Sequence, residues 1–231
     1  MRLAIISDIH EDIESLQKIL DKAEKEGYDK LICLGDISGY SMPYYSYEDV
    51  KDARACLTLL KEKCDILIAG NHDLHAAGVS PELPPELKGQ LSWQHEDDLD
   101  PGYSKSERSF LAALPSKAVL RTPDLNILFT HYAYPNISGF IKGFYTQERH
   151  FDPHFAFMKE HKCSLAFMGH VHPNGFYLVH LNGYRHYRFR SMRISASPSL
   201  VGVPPVARNS HQSGFCIFES KSKNLEAISI S

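Results

Sequence analysis

The sequence predicts an α/β protein, one domain over residues 1–231 in which two packed β-sheets have helices on their outer faces. Its first half alternates short apolar runs with segments of helical periodicity, whereas its second half is mostly strand-like. Hydrophobic residues make up 43% of the chain and charged residues 23%, which is typical of a globular protein that buries a substantial core. Several apolar runs end in histidine, aspartate or asparagine, which indicates a polar site at the strand ends.

Composition also excludes some classes of function. The net charge of −3 argues against a general nucleic-acid or membrane-surface binder. No apolar stretch approaches the roughly 20 residues of a membrane span, and the chain enters a strand pattern directly, without a visible signal peptide. The five scattered cysteines are expected to be reduced thiols, so we predict a cytoplasmic protein. The oligomeric state is left open.

The first half predicts a parallel βαβ arrangement. Strands are expected at 2–7, 29–34 and 66–69, each a short apolar run. A helix between the first two strands is capped by Asp12 and ended by Gly27, and a second helix spans 48–63. Because the strands are parallel, their carboxyl ends meet at one edge of the sheet, where such sheets bind ligands.

The second half predicts mostly antiparallel structure. Residues 74–117 are irregular apart from a helix at 105–114, and residues 133–150 form a long loop, so both segments are expected to cover the site. The remaining elements are a hairpin at 118–129, a helix at 153–162, a strand at 164–168, a hairpin at 176–194 turning at Asn182-Gly183, and strands near 215–219 and 225–230.

The third strand shows the polar pattern most clearly. The apolar run 66–69 ends at Gly70, where the backbone can turn tightly, and Asn71, His72 and Asp73 follow at once. An amide oxygen, an imidazole and a carboxylate at a strand end can bind a metal ion, move a proton and orient the proton carrier.

Four other strand ends repeat this pattern. Alternate residues of an extended segment point the same way, so each Asp-x-His or His-x-His pair is expected to reach one centre. Mixed oxygen and imidazole ligands suit manganese, iron or zinc better than magnesium or calcium, and two such ions serve phosphoryl chemistry. Asp36 stands alone at its strand end and is the best candidate for bridging two ions. The candidate ligands are Asp8 and His10, Asp36, Asn71, His131, and His170 with His172.

These motifs resemble those of the calcineurin-like metallophosphoesterases, from residue 3 to about residue 172, with small bacterial phosphodiesterase-like members as the most similar type. The resemblance implies a four-layer αββα sandwich of two mixed sheets, with a dinuclear centre of manganese, iron, zinc or nickel ions. The matching motifs are Asp8-Ile9-His10, Gly35-Asp36, Gly70-Asn71-His72-Asp73, His131 and Gly169-His170-Val171-His172.

The resemblance also implies a role for each residue. His72 would stabilise the transition state or protonate the leaving group, and Asp73 would orient His72. A hydroxide bridging the metals would attack a small phosphomonoester or phosphodiester substrate. The ligands implied for one metal are Asp8, His10, Asp36 and His172, and those for the other are Asp36, Asn71, His131 and His170.

Other functions are weighed against this one. A non-catalytic binding or scaffold protein would use the same fold, although every expected ligand is present here. A nuclease would need a basic groove, which only the basic and aromatic segment 184–193 offers, and its alternation favours a solvated strand face.

Several residues near the motifs have two interpretations. Glu11 and Asp12 replace a Gly-Asn pair common in the family; a helix cap is favoured over a more acidic pocket. Lys142, Arg149 and Tyr145 lie in the covering loop and are candidates to neutralise a phosphate. The tyrosines that follow Asp36 either stack on an aromatic substrate group or pack the loop: Tyr40, Tyr44, Tyr45 and Tyr47.

Overall fold

The computed structural model describes residues 1–181, 183–208 and 212–230. Its strands and helices alternate in the first half, and strands dominate the second half, as predicted. The strands are β1 (Arg2–Ile6), β2 (Lys30–Cys33), β3 (Ile66–Leu67), β4 (Lys117–Arg121), β5 (Asn126–Thr130), β6 (Leu165–Met168), β7 (Phe176–His180), β8 (Gly183–Tyr187), β9 (Ser191–Arg193), β10 (Ser199–Gly202), β11 (Gly214–Glu219) and β12 (Asn224–Ser229). The helices are α1 (Ile13–Glu26), α2 (Ala53–Lys63), α3 (Asn71–Ala77), α4 (Lys105–Ala112) and α5 (Asp152–Glu160).

The strands form two mixed sheets of six. The first sheet has the order β3-β2-β1-β11-β12-β9, and the second has the order β4-β5-β6-β10-β7-β8. In the first sheet β1, β2 and β3 are parallel, and in the second β5, β6 and β10 are parallel. The carboxyl ends of β1, β2 and β3 therefore lie at one edge, as those of β5 and β6 do in the other sheet.

Three apolar clusters define four layers. The central cluster joins the facing sides of the two sheets, with Ile5 and Ile32 from the first sheet against Phe129 and Phe167 from the second. A second cluster packs α1 and α2 on the outer face of the first sheet, and a third packs α5 on the outer face of the second. The αββα sandwich expected from the resemblance is confirmed.

Aspartate side chains cap the first two helices. The Asp12 side chain accepts a hydrogen bond of 3.0 Å from the Ser15 N–H, which caps α1, and Gly27 ends this helix with a φ of 75°. The second predicted helix begins later than expected. Residues 48–50 form a short 3₁₀ turn. The Asp52 side chain caps α2 by accepting a hydrogen bond from the Ala55 N–H.

The second sheet differs from the prediction in two places. Strand β10 was not predicted, yet it lies buried between β6 and β7. The predicted hairpin at 176–194 is two strands of the second sheet followed by β9, which pairs with β12 in the first sheet. Asn182 of the predicted turn lies outside the described residues. Within the described ranges, no helix is long and apolar enough to cross a membrane.

Candidate metal centre

The predicted ligands come together where the strands of both sheets end. Two groups made up entirely of predicted ligands each offer ligand atoms that all lie within 4.8 Å of one another. Asp36 connects them, because its Oδ2 is 4.0 Å from Nε2 of His10 and 3.0 Å from Nε2 of His131. The first group is Asp8, His10 and His172, and the second is Asp36, His131 and His170.

The backbone at these residues is not extended, which corrects the geometry expected for Asp-x-His and His-x-His. The paired residues converge because they lie in tight turns. Their backbone is left-handed there, a conformation that non-glycine residues rarely adopt. Such conformations cost about 1–3 kcal/mol each and cluster at functional sites. The left-handed residues are Asp8 (φ 57°), His10 (φ 45°), Asp36 (φ 53°), His170 (φ 67°) and His172 (φ 50°).

Backbone carbonyls fix the orientation of two imidazoles. His10 Nδ1 donates a hydrogen bond of 3.0 Å to the Gly39 carbonyl, and His131 Nδ1 donates one of 2.8 Å to the Leu34 carbonyl. A proton on Nδ1 leaves the Nε2 lone pair of each ring free to bind a metal. His10 Nε2 lies 3.2 Å from His172 Nε2, so two imidazoles of the first group face the same point.

Burial and the charge of Asp36 shift the pKa values of the buried groups in opposite directions. Burial raises its pKa, but the charges of His131 and His72 hold it well below the usual range. Burial lowers the pKa of His131, but the charge of Asp36 raises it to about 9. Burial, together with neighbouring imidazoles, lowers the pKa of His10 and of His170 to about 3, so these two rings are neutral and able to bind a metal.

Two buried ligand atoms have no hydrogen-bond partner among the described residues. They are Asn71 Oδ1 and His170 Nε2, both from the predicted second metal site. A buried polar atom without a partner costs about 1–3 kcal/mol, and a bound cation would remove that cost. Gly139 leaves room beside them, since a Cβ there would lie 2.9 Å from Asn71 Oδ1 and 2.7 Å from the His170 ring. The residues therefore fit a metal ion.

His72 is held by a carboxylate that the sequence did not indicate. Asp98 Oδ2 lies 2.5 Å from His72 Nδ1 and 3.4 Å from His95 Nδ1. Burial lowers the pKa of His72, but the charges of Asp36 and Asp98 raise it above its ordinary value. The pKa of Asp98 is held well below its usual range by hydrogen bonds from both imidazoles, although burial opposes this.

Asp73 does not have the predicted role of orienting His72. Its carboxylate accepts hydrogen bonds from the backbone N–H groups of Ile37 (2.9 Å), Ser38 (3.1 Å) and Gly70 (3.1 Å). Because residues 71–77 are helical, the Asp73 side chain turns back to cap α3 instead of following the His72 ring. Asp73 thus joins the turn after β2 to the start of α3.

The helix-cap interpretation of Asp12 is supported, and Glu11 has a structural role as well. The buried Glu11 carboxylate accepts hydrogen bonds of 3.2 Å from the N–H groups of Gly39 and Tyr40, and it pairs with Lys51 at 3.2 Å. Neither Glu11 nor Asp12 lines the cavity over the site, so they do not make it more acidic.

A cavity of about 570 Å³ opens over both ligand groups. Lys142 lines it as predicted for a phosphate-neutralising residue, whereas Arg149 and Tyr145 are not among the lining residues, and neither is any residue of 184–193. Of the four tyrosines, three pack against one another in a buried cluster, and one of these, Tyr45, also lines the cavity. Tyr44 lines the cavity as well and is 69% exposed. Both covering segments contribute to the lining, through residues 93–98 and through Lys142 and Phe144.

Among the lining residues that the sequence did not indicate, four have side chains that lie against His72 or His170. Their segments have neither helical nor strand periodicity, so their direction could not be inferred. The single available signal was composition, namely an aromatic and acidic stretch close to the motif at 70–73. The missed residues are Trp93, His95, Asp98 and Phe144.

Fold and site together define a two-sheet α/β protein with a histidine and carboxylate centre suited to divalent metal ions. The family model of the calcineurin-like phosphoesterases matches residues 1–174, and the chain belongs to this family. The family implies bound divalent metal ions and a metal-dependent phosphoesterase in general terms.

Individual relatives are more distant. An uncharacterised protein of Methanocaldococcus jannaschii is 25% identical over 99% of this chain and 86% of its own length. A metallophosphoesterase from Sphaerobacter thermophilus shares the fold with a TM-score of 0.73 and 20% identity, over 100% of this chain and 88% of that one. A hypothetical protein from Pyrococcus horikoshii has a TM-score of 0.64 and 15% identity, with the same coverage. These similarities support the assignment of the fold and do not identify a substrate.

Proposed function

We propose that this chain hydrolyses a phosphomonoester or phosphodiester of a small molecule at a dinuclear metal centre. One observation supports this most strongly. A single carboxylate oxygen, Asp36 Oδ2, lies between His10 of one ligand group and His131 of the other. Two cations close together need a shared anion, and Asp36 is placed to provide it.

The ligand sets follow from the two groups. Asp8, His10, Asp36 and His172 would hold one ion; Asp36, Asn71, His131 and His170 would hold the other. When bound, such ions polarise a phosphoryl group and lower the pKa of water, which supplies the nucleophile. The mixed nitrogen and oxygen set favours manganese, iron, zinc or nickel.

The protein's own contribution to proton transfer is His72. Its side chain is 20% exposed and lines the cavity, so it can reach a substrate. Asp98 accepts the hydrogen bond from Nδ1, which leaves Nε2 to donate a proton to the leaving-group oxygen. The raised pKa of His72 favours the protonated ring that this role requires. His95 holds Asp98 from the other side.

A substrate panel with defined metals tests the proposal. Metal-free protein would be reconstituted with manganese, iron, zinc or nickel and assayed on p-nitrophenyl phosphate, its bis ester, cyclic nucleotides and dinucleoside polyphosphates. We expect turnover of at least one ester, loss of turnover on chelation, and recovery when metal is restored. Metal-loaded protein that is inactive across the panel would favour a binding or scaffold role.

The nuclease alternative has no support from the cavity. The segment 184–193 is divided between β8 in one sheet and β9 in the other, and it does not line the cavity. Tyr184 packs against Phe151 and Tyr177 rather than forming a stacking surface. We therefore propose a small-molecule substrate.

A further inference from the structure

The mouth of the cavity has exposed apolar side chains. Among the described residues six large apolar side chains are exposed, and four of these lie in segments that border the cavity. Exposed apolar groups gathered at one place mark a binding surface more often than scattered ones do. The four are Met42 (59% exposed), Tyr44 (69%), Leu91 (65%) and Phe144 (49%).

Aromatic rings of this mouth lie beside the second ligand group. The ring centroid of Phe144 is 5.3 Å from that of His170 and 5.9 Å from that of Trp93. Trp93 is itself 6.3 Å from His170. An ester whose phosphate is held at the second ligand group therefore has Phe144 and Trp93 within reach of its organic group. We call Tyr44, Trp93 and Phe144 the aromatic rim.

The charged residues that line the cavity limit how many phosphates the substrate can carry. Lys142 is the one lysine or arginine among its described lining residues, and its ammonium lies 5.4 Å from the centre of the Trp93 ring. Glu96 and Asp97 also line the cavity and would repel a chain of phosphates. A single phosphate next to an uncharged group suits this balance better than a polyphosphate does.

Size agrees with a small ligand. A volume of about 570 Å³, which includes the space over the ligand groups, lies within the usual range of roughly 300–1,000 Å³ for small-molecule sites. We infer that the substrate is a phosphate ester whose organic group has a planar aromatic ring, held against Phe144 and Trp93 of the aromatic rim. This inference rests on the proposed function, because it assumes that the phosphate binds at the ligand groups.

Two matched ligands test the aromatic preference without turnover. Phenylphosphonate and cyclohexylphosphonate differ in the planarity of one six-membered ring, and their C–P bond removes the ester oxygen. Calorimetric titration of the metal-reconstituted protein should give a Kd about tenfold lower for phenylphosphonate, the effect expected of favourable ring contacts. Because Trp93 is the single tryptophan of the chain, its fluorescence reports independently on binding in the cavity.

Two variants test whether the aromatic rim causes the preference for phenylphosphonate. Phe144→Leu and Trp93→Leu keep an apolar side chain but remove the ring, so each should reduce the tenfold ratio to about threefold or less. Leu181→Ala is the control, since Leu181 is 58% exposed in the turn after β7, at the end of the sheet away from the site. This variant should keep the wild-type ratio.

The outcomes separate this inference from the proposed function. Equal affinities for the two phosphonates, including no measurable binding of either, would overturn the aromatic preference even if the protein hydrolyses phosphate esters. A ratio that survives in both ring variants would overturn it as well. Selective binding of phenylphosphonate by a protein that turns over no ester would support the preference and contradict only the proposed function.

Discussion

Asp98 holds the imidazole of His72 by a hydrogen bond in which Oδ2 lies 2.5 Å from Nδ1, although the two residues are 26 positions apart. His72 lies in the motif after β3, whereas Asp98 belongs to an irregular segment that lines the cavity. The orientation of the proposed proton donor therefore depends on a segment outside the family motifs, which makes the Asp98 contact the first to test.

Asp98→Asn should lower kcat while leaving the metal content unchanged. The amide keeps the shape of the side chain but loses the charge that holds Nδ1, and loss of such a supporting partner typically costs about 10–100-fold. Asp97→Asn is a matched control, because Asp97 lines the same cavity without a described contact to His72. Equal activity of the two variants would contradict the role of Asp98.

His72→Ala should retain both metals and lose activity by about 10²–10⁴-fold. The backbone N–H at residue 72 still donates to Asp36 Oδ1, so the turn around the ligands is kept. If His72 protonates the leaving group, the loss should be larger for an alkyl ester than for a p-nitrophenyl ester, whose leaving group needs no proton. Full activity on both esters would refute the assignment.

Gly39→Ala should impair catalysis by displacing His72. A Cβ at Gly39 would lie 2.2 Å from His72 Nδ1, and the glycine has a φ of 95°. A displacement of about 1 Å can cost roughly 10²-fold in rate. Gly89→Ala controls for backbone strain alone, since Gly89 has a φ of 80° but no heavy atom within 4 Å of the added Cβ. Comparable kcat values for both variants would argue against the clash.

Asp73→Ala should destabilise the fold. Three buried backbone N–H groups lose their acceptor, and each unsatisfied group costs about 1–3 kcal/mol. Urea unfolding of the metal-free protein measures the effect, with the exposed cap variant Asp52→Ala as a control expected to cost about 1 kcal/mol. An unchanged unfolding free energy would show that Asp73 is not the structural link described here.

The ligand residues could be predicted from sequence because each follows an apolar strand within one to four positions, and parallel strands must end at a shared edge. Asp8, Asp36 and His131 are found this way. Asp98 could not be, since three consecutive acidic residues, Glu96 to Asp98, lie in a segment without periodicity and the chain direction alone decides which one meets His72.

Sheet membership was also partly hidden. The alternation of residues 184–193 looks like one continuous strand, but the chain leaves the second sheet after Tyr187 and joins the first sheet at Ser191. Strand β10 is short and follows Pro198, which weakens its local signal, although its central place comes from pairing with β6 and β7. Both features depend on contacts distant in sequence.

Metal stoichiometry tests the dinuclear centre most directly. Metal-free wild type and Asp36→Asn would be reconstituted with manganese in parallel, and the bound metal per chain measured by mass spectrometry alongside ester hydrolysis. The shared position of Asp36 predicts about two ions per chain in the wild type, fewer in the variant, and activity that follows the second ion. A variant with the same stoichiometry and activity as the wild type would contradict bridging by Asp36.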